Sequence, residues 1–362
     1  MDMQSQSELE AAELIAERPD ERLDTAPLEP YLRAHLSGVK GALSVAQFHG
    51  GKANLTYLVR FGGQEFVLRR PPLGPIPPGA HDMRREHRVL SVLHRRFPLA
   101  PQSLLLCEDE SIIGAVFIVE ERRRGFVIRD DIPKDFAGRP ELNRRVGFAL
   151  IDALADLHLV DAAEIGLDGL GRVQGYLERQ LSGWMRRWEG SLGGPEEERS
   201  RGGMAPVLDW LARARPKERA GALLHNDYRL DNCLLDTADP ARIAAVLDWD
   251  MCTQGDPLAD LGYVLNYWVE PGDDPEWRAI ASMPTWREGF PSRAEAIERY
   301  AARTGSDVGD ILWYQVFAAF KLAVIIQQIY IRYVRGQTQD ARFQSYWRRV
   351  VGLADKARVL IG

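Results

Sequence analysis

The stretch Ala222–Leu235 limits what this chain can fold into more than any other. It sets a polar octapeptide, His225-Asn226-Asp227-Tyr228-Arg229-Leu230-Asp231-Asn232, between the apolar runs Ala222–Leu224 and Cys233–Leu235. Three apolar residues are too few for a helix with a buried face, so these runs interrupt the helical pattern and pin the loop between them. A polar loop pinned at both ends in this way lies on a packed floor, with its side chains held in place. A strand-like run, Ile243–Leu247, ends in Asp248-Trp249-Asp250, sixteen residues after Asn232.

Upstream, the runs Ala42–Phe48, Asn54–Phe61 and Glu65–Arg70 are joined by His49-Gly50-Gly51-Lys52 and by Gly62-Gly63, junctions that suit hairpin turns. Pro71–Ala80 is a proline-glycine loop. A helix is expected from Asp82 to about Phe97, then strands at Ser103–Cys107 and Ile112–Glu120. Beyond Glu121 the period changes: Leu142, Val146, Ala149, Ala153, Leu157 and Val160 form a helical stripe. More helices are expected at about 174–189, 203–214, 257–269, 292–303, 311–334 and 340–360, with a glycine-rich loop at Gly190–Gly203.

The pattern therefore predicts an α+β chain. A polar, helical extension (1–25) precedes a β-rich lobe (26–120) of five antiparallel strands and one main helix. A hinge at about 119–124 leads into a large, mainly helical lobe (121–362).

Composition narrows the function classes. At 362 residues, 45% apolar and 27% charged, the chain can build two packed cores and is not a disordered one. A net charge of -6 argues against a nucleic-acid binder. The polar, acidic N-terminus lacks the apolar core of a secretory leader. Residues 311–334 are the most apolar stretch, but Lys321, Gln327, Gln328 and Arg332 interrupt it, so a buried helix is expected rather than a membrane span. Cys107, Cys233 and Cys252 form no paired or zinc-binding pattern, which suits a reducing, cytoplasmic setting.

The octapeptide has the form H-x-D-x-x-x-x-N. One acid and one amide on a pinned loop suit phosphoryl transfer, in which a carboxylate takes the proton of the attacking hydroxyl and an amide oxygen holds magnesium. Asp248, at the end of a strand that returns beside the loop, supplies the second hard oxygen ligand such an ion wants. In Glu65–Arg70, alternation puts Glu65, Val67 and Arg69 on one face. Glu86 falls on the apolar face marked by Met83, Leu90, Leu93 and Phe97. A buried carboxylate needs a partner, and Arg69 is the natural one. No G-x-x-x-x-G-K-[ST] loop, serine-hydrolase elbow or H-E-x-x-H helix is present.

The loop and the Leu247-Asp248-Trp249-Asp250 segment resemble the aminoglycoside phosphotransferase and choline kinase family, relatives of protein kinases. Leu68-Arg69-Arg70-Pro71-Pro72, Ala80-His81-Asp82-Met83 and Arg85-Glu86 resemble most closely the kinase-like domain fused to some acyl-CoA dehydrogenases. The resemblance spans about residues 30–335. It implies a protein-kinase-like bilobal fold with ATP and Mg2+ as cofactors. It makes Asp227 the catalytic base, with Asn232 and Asp248 on the metal. Asp250 assists there or supports Asp248, while His225 and Asp260 brace the loop. Val67 and Arg69 match the small residue and the phosphate-binding lysine of the kinase third strand, and Glu120, with Val119 and Glu121, matches the adenine-reading hinge.

Two departures leave alternatives open. The usual lysine is Arg69 here, and a guanidinium is not interchangeable with an ammonium; Lys52 in the turn is the other candidate for the phosphates. His49–Thr56 is not a full G-x-G-x-x-G, although Gly50, Gly51 and Asn54 can present amides to phosphate. The expected acceptor is a small molecule, a hydroxyacyl thioester or similar alcohol, with no nucleic-acid or membrane partner. A non-catalytic pseudokinase and a true aminoglycoside kinase are the alternatives, the latter wanting an acidic pocket for which only Glu270, Asp273 and Asp274 cluster. Arg122–Arg124, Arg179, Arg186 and Arg187 are available to an anionic group or to solvent.

Overall fold

The computed structural model describes residues 13–49, 54–74, 79, 81–129, 131–133, 137–278 and 282–362. In chain order its strands are β1 (Leu14–Ile15), β2 (Leu43–Phe48), β3 (Leu55–Phe61), β4 (Gln64–Arg70), β5 (Ser103–Cys107), β6 (Phe117–Glu121), β7 (Ala222–Leu224), β8 (Cys233–Leu235), β9 (Ile243–Val246) and β10 (Thr253–Gly255). Its helices are α1 (Thr25–His35), α2 (Met83–Leu93), α3 (Pro140–His158), α4 (Tyr176–Gly190), α5 (Glu197–Arg213), α6 (Leu258–Tyr267), α7 (Pro275–Arg278), α8 (Arg293–Thr304), α9 (Ile311–Val334) and α10 (Tyr346–Ile361). These divide into two compact units. One holds Met1–Val127, Val160–Asp168 and Asn232–Cys252; the other holds Ile128–Leu159, Gly169–Asp231 and Thr253–Gly362.

The first unit is built on an antiparallel sheet of order β1-β2-β3-β4-β6-β5. Four of its strands lie where alternation and turn residues put them, and a fifth, β6, starts later than expected. The sixth departs from the sequence reading: a helical extension is expected before Thr25, but Leu14 and Ile15 pair with Phe48 and Gln47, closing an edge that β2 would otherwise leave open. Leu28, Leu32 and Leu36 pack on one sheet face with Tyr57, Val59, Phe61, Leu68, Phe117 and Val119. β6 starts at Phe117 rather than Ile112, because the chain turns through Gly114 at φ +77°.

The register pairs Arg69 with Ile118 and Val67 with Glu120. Strand alternation therefore sets Val67, Arg69, Ile118 and Glu120 on the face opposite Leu68 and Val119. Met83 of α2 packs with Ile118 on that face. The hairpin β8–β9 completes this unit, with Cys233 opposite Val246.

The second unit is mainly helical. Its core helix α9 packs against α4, α5, α6 and α10. It is long and apolar enough to cross a membrane by length and composition alone, yet 72% of its most apolar stretch is buried in this unit. Helix α5 begins at Glu197, inside the segment expected to be a glycine-rich loop, with Glu197 and Glu198 favourably placed in its first turn. β7 and β10 pair through Leu224 and Thr253; the loop follows β7 directly and α6 follows β10.

Helix α6 crosses α9 at a glycine: a Cβ on Gly262 would lie 2.6 Å from Tyr314 Cβ and 2.7 Å from its carbonyl carbon. Neither backbone atom nor buried ring can move away freely. Gly262→Ala should therefore destabilise the protein by about 1–3 kcal/mol, read as a lower denaturation midpoint.

Candidate active site

Each unit carries a buried polar cluster on segments expected to form the site, and the two are described separately.

In the first unit the centre is the Arg69 guanidinium, 9% exposed at the end of β4. Arg69 Nη2 lies 3.1 Å from Glu86 Oε1, and Arg69 Nε donates to Glu86 Oε2 at 3.3 Å. Nη2 also donates to Asp248 Oδ1 at 2.5 Å, and Nε lies 3.8 Å from Glu120 Oε1. Glu86 is wholly buried on the first turn of α2, and it accepts the Trp249 backbone N–H at 3.2 Å. One helix, two strands and the segment after β9 thus meet at one cation. Burial would lower the Arg69 pKa, but Glu86, Asp248 and Glu120 more than reverse this and hold it well above its ordinary value.

The carboxylates show the converse. Burial pushes Glu120 up to about 7, against the pull of Arg69 and with a further push from Asp248. Burial, with the Asp248 charge added, also raises Asp250. Four carboxylates, Glu86, Glu120, Asp248 and Asp250, surround one guanidinium, and Glu120 Oε1 has no hydrogen-bond partner among the described residues. Carboxylates outnumber the cation here, and burial pushes Glu86, Glu120 and Asp250 up, towards their neutral forms.

Asn232 and Asp248 come together across the β8–β9 ladder, where the Asn232 carbonyl accepts the Leu247 N–H at 2.8 Å. Asp248 sits in the left-handed region at φ +69°. Among the described residues the other non-glycine positions with positive φ are His81 (+54°) and Asn226 (+67°), both on site segments. Asn54 is buried, and its amide donates to Asp250 Oδ2 at 3.1 Å while its oxygen meets His81 Nδ1 at 2.9 Å. Asn54 therefore acts on Asp250 through its side chain; the turn it was expected to share with Gly50, Gly51 and Lys52 lies outside the described residues. Val67 lies beside Arg69 on the same sheet face. Glu120, expected to offer its main chain to a base, lies within β6 between Val67 and Ser103 and turns its carboxylate towards Arg69.

In the second unit Asp260, 1% exposed on the first turn of α6, accepts the backbone N–H of His225 at 2.6 Å and of Asn226 at 2.9 Å. His158 Nε2 lies 3.4 Å from the same carboxylate, and its Nδ1 meets Tyr300 Oη at 2.7 Å. Burial would raise Asp260, but His158 and these contacts win and hold it below the usual carboxylate value. His225 Nδ1 accepts the Asp227 N–H at 3.3 Å, and Tyr228 anchors its hydroxyl on the Leu150 carbonyl at 2.7 Å. Both backbone and side chains thus fix the loop.

Asp227 itself accepts a hydrogen bond from Tyr263 Oη at 2.5 Å and from Arg229 Nε at 3.2 Å. Arg229 also reaches Asp231 at 3.1 Å and Ser282 at 2.8 Å, and lies over the Tyr267 ring. Tyr263 and Arg229 were not singled out from sequence. Their signals were present: Asp227, Arg229 and Asp231 alternate in charge, and Asp260 and Tyr263 are one helical turn apart. Lys321 of α9 is half-buried, 5.5 Å from the ring centroids of both Tyr263 and Trp184, and burial lowers it against the pull of Asp260 and Asp227.

An antiparallel sheet bearing an arginine–glutamate pair, a helical unit bearing a braced H-x-D-x-x-x-x-N loop and a strand ending in Asp248 together define a phosphotransferase of the protein-kinase-like fold. The profile of the APH phosphotransferase enzyme family matches residues 44–303, and the chain belongs to that family. A crystal structure from Ralstonia eutropha JMP134, assigned as an aminoglycoside phosphotransferase, is 32% identical and superposes with a TM-score of 0.79 over 94% of this chain and 98% of that one. The aminoglycoside phosphotransferase APH(4)-Ia, solved with AMP-PNP and hygromycin B, shares the fold at 17% identity, TM-score 0.57, over 91% of this chain and 98% of its own. Acyl-CoA dehydrogenase family member 11 of Gallus gallus is 33% identical over 94% of this chain, and family member 10 of Mus musculus 31% identical over 91%. The chain spans 44% and 30% of those two proteins.

Because the folded Asp260 value is depressed, its contribution is present above the ordinary aspartate range and is lost as pH falls through the folded value. Asp260→Asn should cost about 1–3 kcal/mol at neutral pH, since an amide sets an N–H against one of the two loop N–H groups. In denaturation curves the gap between the proteins should narrow on acidification below the ordinary aspartate value and stay constant above it.

Proposed function

We propose that this protein transfers the γ-phosphate of ATP, with Mg2+, to the hydroxyl of a small acceptor, a hydroxyacyl thioester or similar alcohol. The observation that carries the reading is the shared guanidinium: Arg69 holds Glu86 and Asp248 at once, so the strand, the helix and the acidic segment are set around one point. The donor set fits magnesium. Asn232 and Asp248 carry hard oxygens on neighbouring backbone, the Asn232 carbonyl accepting the Leu247 N–H, and a divalent ion there would favour the charged forms of the nearby carboxylates. Bound there, the ion would neutralise charge on the β- and γ-phosphates.

In this mechanism Arg69, kept in place by Glu86, steadies the phosphates. Asp227 orients the acceptor hydroxyl and takes its proton as the oxygen bonds to the γ-phosphorus and the bond to the β-bridging oxygen breaks, leaving ADP. Tyr263 and Arg229 keep the Asp227 carboxylate turned to that task, and Asp260 keeps its loop from shifting. Asp250, tied by Asn54, supports Asp248. The names of the acyl-CoA dehydrogenase relatives favour an acyl-bearing acceptor. The acidic residues that an aminoglycoside would need are engaged: Arg293 lies 2.7 Å from Glu270 and 2.6 Å from Asp273. Cys107, Cys233 and Cys252 are buried, which accords with a reducing, cytoplasmic setting.

Magnesium-dependent ADP release across a panel of hydroxyacyl thioesters, simple alcohols and aminoglycosides tests the proposal. Asp227→Ala should lower turnover by about 10³-fold or more while leaving nucleotide affinity within about threefold. Nucleotide binding without turnover of any acceptor would instead favour a non-catalytic module. Arg69→Met should weaken ATP binding about tenfold or more, whereas Lys52→Ala should leave it nearly unchanged; the reverse result would move the phosphate contact to Lys52.

A further inference from the structure

Lys321 has no part in the mechanism above. It projects from α9, and its ammonium lies 5.5 Å from the Tyr263 and Trp184 ring centroids. Among the described residues it makes no hydrogen bond and no ion pair, so the three donors of its half-buried ammonium are left to solvent or a ligand. Aromatic faces return only part of the lost hydration. Tyr263, whose ring the ammonium approaches, donates its hydroxyl to Asp227. Arg187 of α4 lies 4.5 Å from the other ring, Trp184, and is exposed. Arg229, by contrast, is taken up by Asp227 and Asp231.

Resting on the phosphotransfer reading above, we infer that Lys321, with Arg187 behind Trp184, receives an anionic group of the acceptor, so that the substrate is a hydroxylated anion whose carboxylate or phosphate lies about one tyrosine ring from the hydroxyl presented to Asp227. An anion supplies the acceptor that Lys321 lacks, in a setting where partial desolvation strengthens the contact. The same two cations repel a polyamine, so the arrangement selects against cationic acceptors as well as for anionic ones. The alcohol and the anion must be carried by one molecule, because Tyr263 borders both sites.

Binding separates this inference from the reading it rests on. Short- and medium-chain ω-hydroxycarboxylates are titrated into the full chain with tryptophan fluorescence as readout, beside their methyl esters and the matching amino alcohols. Saturable binding of a hydroxycarboxylate is expected, weakened about tenfold or more in Lys321→Met and largely kept in Lys321→Arg. The methyl esters should bind weakly and alike to wild type and Lys321→Met. An unchanged unfolding midpoint in Lys321→Met excludes misfolding as the cause. Absence of saturable binding to the wild type, or equal affinity in wild type and Lys321→Met, overturns the assignment. Lys321-dependent binding with no ADP released from any bound hydroxycarboxylate would leave the anion site standing and count against phosphotransfer instead.

Discussion

A guanidinium buried among carboxylates is hard to replace once a fold has grown round it. Arg69 ties the end of a central strand to the first turn of α2 and to the segment after β9 through Glu86 and Asp248. Removing Arg69 would leave buried carboxylates without their cation, and the penalty for an unpaired buried charge exceeds the worth of the pair itself. With lysine the charge would remain but not the fork, whose Nε adds a second hold on Glu86 beside the Nη2 that meets both carboxylates. The Trp249 N–H on Glu86 adds a main-chain link. Position, rather than strength, is what this network supplies: it sets where the acidic segment lies within its own unit.

In the helical unit the same end is reached through main chain. Asp260 grips two consecutive loop amides, and the close approach of Gly262 to Tyr314 prevents α6 from rotating about its axis. Tyr263, one residue on, is therefore fixed relative to Asp227. A catalytic carboxylate gains from such preorganisation because no reorganisation is left for the moment of reaction. The left-handed backbone at Asn226 and Asp248 fits this picture, since strain survives only where the surroundings hold it.

Much of this was legible in the sequence. Alternation in Glu65–Arg70 and the apolar spacing of α2 led to the Arg69–Glu86 pair, and the short apolar runs flanking the octapeptide appear as β7 and β8. The family and its fold were legible from the octapeptide and the Leu-Asp-Trp-Asp segment. What escaped had no periodic signal. Leu14–Ile15 is too short to show alternation, and its place is set by the open edge of β2. Asn54 looked like part of a phosphate-cradling turn, yet its side chain serves Asp250, nearly two hundred residues away. Lys321 interrupts an apolar helix, which sequence registers only as an argument against a membrane span.

The sheet-bearing unit is assembled from three separate lengths of chain, the last ending at Cys252. During synthesis, its strands and α2 leave the ribosome long before β8, β9 and Asp248 exist. Until then Arg69 has Glu86 and Glu120 but not Asp248, and the face around Phe97 lacks Trp249, its edge-on partner. The nascent sheet must therefore wait, partly uncovered, while roughly a third of the chain is made, and this is the interval in which a chaperone or an aggregating neighbour would meet it.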